Sequence, residues 1–131
     1  MALKLKLKPS ESIIIGGAVI KNGSKGTELF VENSVPILRQ KDIISEQEAT
    51  SPCKRIYFAV QLMYIDAGNL PTYHQTYWAL VNDVLAAAPS TGKLIQQISD
   101  NILTNDYYLA LKSARKLIEY EEELINHAKC L

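Results

Sequence analysis

Along the first forty residues the apolar and polar positions alternate with a period of two. Leu3, Leu5 and Leu7 interleave with Lys4, Lys6 and Lys8. In an extended chain this places three leucines on one face and three ammonium groups on the other. Pro9-Ser10-Glu11 reads as a turn, and Ser12 to Ile15 as a β-branched strand that Gly16-Gly17 breaks or bulges. Ala18 to Lys21 continues as a strand. Asn22-Gly23, with Gly26 close behind, is a hairpin signal, and Thr27 to Glu32 returns as another strand. Val35-Pro36-Ile37-Leu38 reads as an edge segment, because Pro36 has no N–H to give to a ladder.

Beyond residue 40 the period changes to that of a helix. Lys41 to Ala49 reads as a short helix or turn. Ser51-Pro52 is a helix start, with serine as N-cap and proline in the first turn. Ile56, Ala59, Val60, Met63 and Tyr64 follow at helical spacing, and Phe58, Leu62 and Ile65 fill the other side. A helix apolar around most of its circumference is a central one. Gly68 ends it. Pro71 opens a second helix carrying Tyr73, Tyr77, Leu80, Val81, Val84 and Leu85 on one face. Pro89-Ser90 precedes a third with Leu94, Ile95, Ile98 and Ile102. Thr104 or Asn105 caps a fourth, whose stripe is Tyr107, Leu111, Ala114, Leu117, Ile118, Leu124 and Ile125. The expected class is α+β: a small N-terminal antiparallel β-unit, residues 1–40, followed by a bundle of about four helices, residues 41–131, in one compact protein.

Composition narrows the function classes. Hydrophobic residues make up 47% of the 131 positions and charged residues 21%, enough for a core without disulfide or metal staples. No apolar segment follows the positive charges at the start, so no signal peptide is expected. The apolar run from Ile56 to Ile65 is far short of a bilayer span. Cys53 and Cys130 lack metal-like spacing and read as free thiols in a reducing cytoplasm. The net charge is zero but unevenly divided. Residues 1–41 hold seven basic against three acidic side chains, net +4; residues 42–131 hold seven against eleven, net −4.

Catalytic chemistry is sparse. His74 and His127 have no partner at ligand spacing. Cys53 lacks the surroundings of a nucleophile, although Lys54 and Arg55 follow it. The glycines do not have the arrangement of a phosphate loop, and Glu121-Glu122-Glu123 reads as a solvated helix face. No enzyme activity, cofactor or metal is expected. The basic strand remains. Lys4, Lys6 and Lys8 stand roughly 6.5–7 Å apart on one face, from the rise of a strand, close to the phosphate spacing of a single-stranded backbone. The same lysines also protect a sheet edge from aggregation, and no aromatic is interleaved on this strand. The candidate nucleic-acid set is Lys4, Lys6, Lys8, Lys21, Lys25, Arg39 and Lys41. Trp78 and His74, beside the stripe of the second helix, are the candidate protein-interface residues.

Several blocks together resemble the FlbT family of flagellar regulators. They are Met1 to Pro9, Ile13-Ile14-Ile15, Gly17 to Ile20, Pro36 to Arg39, Asp42-Ile43-Ile44, Lys54 to Asp66 and Tyr107 to Ile118. The resemblance spans nearly the whole chain in order. Ser10 stands where a glycine is common in the family, Gly16 where a polar turn residue is expected, and Asn69 to Thr91 matches only loosely. The resemblance implies post-transcriptional repression of flagellin by association with the 5′ untranslated region of its messenger RNA and promotion of its decay. The resemblance implies the flagellin messenger leader as partner; FlaF, flagellin and a second copy of the chain are further candidates, with no membrane. The alternative is a protein-binding adaptor or chaperone-like module acting on flagellin or FlaF.

Overall fold

The computed structural model describes residues 2–130, with the side chain of Cys130 outside the description. The chain divides into two compact units, residues 1–43 and 44–131. An N-terminal antiparallel β-region is followed by four helices, the α+β class expected from the sequence.

The first unit contains β1 (Leu3–Leu7), β2 (Ser12–Ile15), β3 (Ala18–Lys21), β4 (Thr27–Val31) and β5 (Ile37–Arg39). β1 pairs with β4, and β3, β2 and β5 form a second sheet in that order, all antiparallel. Leu5, Leu7 and Ile13 form a small core, fringed by Ile15, Leu29, Val31 and Ile37. Leu5 and Leu7 of β1 therefore face inward, as the alternation requires, while Leu3 at the start of the strand stays exposed. One expectation fails. Asn22-Gly23 is not a hairpin turn, because β3 and β4 do not pair. The hairpin is Gly16-Gly17, which joins β2 to β3 with φ of 56° and 88°. Two successive left-handed residues match the twist of paired strands, and glycine adopts them without a Cβ clash. Asn22 instead clamps loops together. Its amide donates to the carbonyls of Lys8 and Lys25 at 2.8 Å each, and its Oδ1 accepts from the Thr27 hydroxyl at 3.0 Å. Ser10 also sits in the left-handed region, φ 61°, a conformation that glycine adopts without a Cβ clash.

The second unit holds α1 (Pro52–Ile65), α2 (Leu70–Ala87), α3 (Gly92–Leu103) and α4 (Tyr107–Cys130), with short 3₁₀ turns at Ala67–Asn69 and Pro89–Thr91. A third 3₁₀ turn, Gln40–Asp42, lies in the first unit, and Glu46 to Glu48 form only a turn, so residues 41–49 make no α-helix. Ser51 caps α1 by accepting from the Lys54 N–H at 3.2 Å. Cys53, Ile56, Tyr57, Ala59, Val60, Gln61 and Met63 of α1 are all buried, more than in α2 or α3, so α1 is the central helix. It runs antiparallel to α4. Cys53 lies by Glu121, Tyr57 beneath the Arg115 guanidinium at 4.7 Å, and Tyr64 by Tyr108. Tyr77 of α2 and Ser99 of α3 share a buried hydroxyl hydrogen bond of 2.9 Å, and Asn101 of α3 donates to Ser113 of α4. Gln61 is buried, and its amide makes both main-chain bonds of Ile44, at 2.8 and 2.9 Å.

Three expectations about α4 need correction. Its cap is Asp106, which accepts from the Leu109 N–H at 3.1 Å. Thr104 instead closes α3, followed by Asn105 at φ 60°, with the Asp106 N–H bonded back to Asn101 O. Asparagine tolerates that left-handed position after a helix. The apolar stripe is buried only from Ala110 to Ile118, while Leu124 and Ile125 are exposed. Glu121 is not a solvated face residue. It is half-buried and accepts from the Ser51 hydroxyl and the Cys53 N–H, so a carboxylate from α4 sits on the N-terminus of α1. That helix has no acid of its own in its first turn, where the dipole favours one.

Candidate nucleic-acid interface

The strand alternation that buries Leu5 and Leu7 turns Lys4 and Lys6 to solvent. Their opposite numbers across the ladder are Phe30 and Glu28. Directly opposed residues in an antiparallel pair share a face. The outer face of the β1–β4 ribbon therefore carries Lys4, Lys6, Glu28 and Phe30, with Phe30 61% exposed. Sequence reasoning missed Phe30, since it looked for an aromatic on the lysine strand and the neighbouring strand supplies it. The signal available was the alternation of Thr27 to Val31, which places Phe30 on the polar face, but only the register puts it beside Lys4. Lys4 reaches Glu28 at 3.4 Å, and both side chains are about half exposed. Such a pair is worth little in water and yields readily to a stronger anion.

The other candidates separate into different settings. Lys8 and Lys41 line one shallow depression with Pro9, Ser10, Glu11 and Gln40. Lys21 ends β3 and Lys25 lies in the loop that Asn22 clamps, both exposed. Arg39 is engaged within the unit. Its guanidinium donates to the Lys6 carbonyl and, at 3.1 Å, to the Glu11 carboxylate. The Lys8 N–H, first in influence, and Arg39 together hold the Glu11 carboxyl below its ordinary range. Arg39 is thus a positioning residue that ties β5 to β1, with little charge left for a ligand.

On the helical unit, Trp78 is 42% exposed and meets Tyr77 edge-to-face at 5.1 Å. His74 is half-buried, its Nε2 3.4 Å from the Tyr107 hydroxyl. An open groove of about 490 Å³ runs between α1 and α2, floored by Phe58, Ala59, Leu62 and Leu80 with Arg55 and Glu46 at its rim. Neither Trp78 nor His74 lines it. Cys53 is a free, buried thiol, pushed up to about 12 by burial and then by Glu121, so the neighbouring cations do not activate it. The matching expectation for Cys130 falls outside the described side chains. Among the described residues no cluster of three histidine, cysteine or acidic side chains could hold a metal ion, and no helix is long and apolar enough to cross a membrane.

Comparison with known proteins gives the ancestry. The family model for the flagellar protein FlbT matches residues 3–125. A probable flagellum biosynthesis repressor protein FlbT 1 of Bradyrhizobium diazoefficiens is 50% identical over 125 residues, covering 95% of this chain and 85% of that protein. A probable repressor of the same name in Rhodopseudomonas palustris is 40% identical, over 96% of this chain and 99% of the relative. The flagellum biosynthesis repressor protein FlbT of Caulobacter vibrioides is 36% identical, over 97% and 92%. No solved structure matches. With the family model and full-length relatives in agreement, the chain belongs to the FlbT family of flagellar proteins.

Proposed function

We propose that this chain represses flagellum biosynthesis after transcription, by associating in the cytoplasm with the 5′ untranslated region of flagellin messenger RNA and promoting its decay. Its relatives carry the name of flagellum biosynthesis repressors. The single observation that supports RNA as the target is the exposed outer face of the β1–β4 ribbon, where two lysines stand beside an exposed phenylalanine. Cations along a strand suit phosphates, and an aromatic face suits a splayed base, the combination used for single-stranded nucleic acid. Lys8, Lys21, Lys25 and Lys41 add positive potential to the same unit. The chain acts by binding, without catalysis of its own.

The test is a titration of the purified chain with flagellin leader RNA at several salt concentrations. Changing Lys4, Lys6 and Lys8 together to glutamine weakens binding and flattens the salt dependence, each lost phosphate contact lowering the log–log slope by about 0.7. Phe30→Ala weakens binding at all salt concentrations and leaves the slope as it was. A folded triple variant with an unchanged slope places the RNA elsewhere. A second reading, an adaptor for flagellin or FlaF, is favoured by the apolar groove between α1 and α2 and by the exposed Trp78. On that reading Trp78→Ala or Leu62→Lys impairs protein binding and spares RNA binding.

A further inference from the structure

Among the described residues the most exposed large apolar side chain of the β-unit is Val19, 76% accessible, in the middle of β3. β3 pairs with β2 on one side alone, and all four of its residues are exposed. The hydrogen-bond direction follows from its neighbours. The Asn22 N–H bonds to Glu11 O at 2.8 Å, toward β2, so alternation turns the main chain of Ala18 and Ile20 toward β2 and that of Val19 and Lys21 outward. Natural sheet edges are guarded by charge, proline or bulges. The ribbon carries Lys4 and Lys6 and β5 is preceded by Pro36, but the middle of β3 carries only Ala18, Val19 and Ile20.

We propose that β3 is the contact through which two copies of this chain associate, strand against antiparallel strand, about a two-fold axis at Val19. The strand is complementary to itself in that register. The outward N–H and C=O of each Val19 bond those of the other, Ala18 faces Ile20, and Lys21 faces Gly17, so no like charges oppose. Val19 also completes a row. Leu38, Ile14 and Val19 are directly opposed across β5, β2 and β3 and share one face. Leu38 and Ile14 are buried, whereas Val19 is not. Pairing at β3 makes Leu38–Ile14–Val19 continuous with its copy across a single sheet. A helix docking here would leave the outward main-chain groups of Val19 unpaired, which is why a strand is the fitting occupant. The four-residue strand makes few bonds, so the association is weak and is measured at high protein concentration.

Sedimentation equilibrium of the full chain without RNA tests the proposal. The expected result is a monomer–dimer equilibrium that Val19→Lys weakens by about tenfold or more. Val19→Thr, still β-branched, weakens it less, and both variants keep the wild-type circular dichroism melt because the side chain is exposed. In a Val19→Cys chain, mild oxidation with oxidised glutathione yields a dimer whose linked peptide joins position 19 to position 19. The exposed control Leu103→Cys does so more slowly. A monomer at every concentration, an open-ended series of larger species, or a dimer indifferent to Val19→Lys overturns the proposal. So does cross-linking at position 103 as fast as at 19.

Discussion

The two units solve the same burial problem with different means. The helical unit places a long, nearly all-round apolar helix at its centre and packs α2 and α4 against it, so that Val60, Met63, Ala114 and Leu117 are essentially inaccessible. The β-unit buries a smaller set, Leu5, Leu7, Ile13, Ile14 and Leu38, and polar clamps at Asn22, Glu11 and Arg39 tie its loops and strands together. Side-chain packing fixes the first, and hydrogen bonds between loops fix the second. A unit held by clamps can leave most of its side chains facing solvent, and that leaves Phe30 and the lysines available for a ligand. Helical packing buries the apolar centre of its unit and leaves Trp78, Leu103 and Ile125 exposed at the margins.

The two units differ most in what a truncation of their side chains costs. Met63, 1% exposed, should cost about 2–5 kcal/mol when changed to alanine, read by urea denaturation, since a buried methionine leaves a cavity. Phe30→Ala should cost less than about 0.5 kcal/mol, although it removes a larger side chain. A loss below about 1 kcal/mol for Met63→Ala would mean that α1 is not the centre of its unit.

A smaller effect tests the long-range cap. Glu121→Ala leaves the Ser51 hydroxyl and the Cys53 N–H without their acceptor and should destabilise the helical unit by about 1–3 kcal/mol. It should also raise the reactivity of Cys53 toward alkylating reagents, because the thiol loses a carboxylate neighbour and some burial.

The β-unit is sharpened by its backbone. Ser10→Gly should stabilise it by up to about 1 kcal/mol, because glycine relieves the left-handed conformation. Gly16→Ala should destabilise it by a similar amount. Thermal melts of the two variants should therefore shift in opposite directions.

The mildest test is acid. Glu11 has a depressed pKa in the folded chain, so its contribution is present above the ordinary carboxylate range and is lost as pH falls through the folded value. Protection factors of the β2 and β5 amides, which correct for slower intrinsic exchange in acid, should fall on that descent before those of α1 do. Glu11→Gln should remove the difference.

The sequence announced elements better than partnerships. Ser51-Pro52 marked the start of α1 because capping is local chemistry, and the leucine–lysine alternation fixed which face of β1 is buried. Nothing in Thr27 to Val31 said that β4 would pair with β1 rather than β3. Strand pairing is a long-range choice, and it alone brings Phe30 beside Lys4. Asn22-Gly23 misled for a related reason. Its side chain is drawn into contacts with Lys8 and Thr27 that no local window contains. Glu121 looked like surface because a run of three glutamates usually is one. Its role depends on a helix start 70 residues earlier in the chain.

That distance bears on how the chain comes into being. When α1 leaves the ribosome its N-terminus has Ser51 but not its carboxylate, and Lys54 and Arg55 oppose the helix dipole there. The missing charge arrives only when the far half of α4 has been synthesised. During translation α1 is therefore an apolar segment with a poorly secured start, exposed to whatever shields nascent chains. The cap of α1 is complete only once Glu121 has emerged.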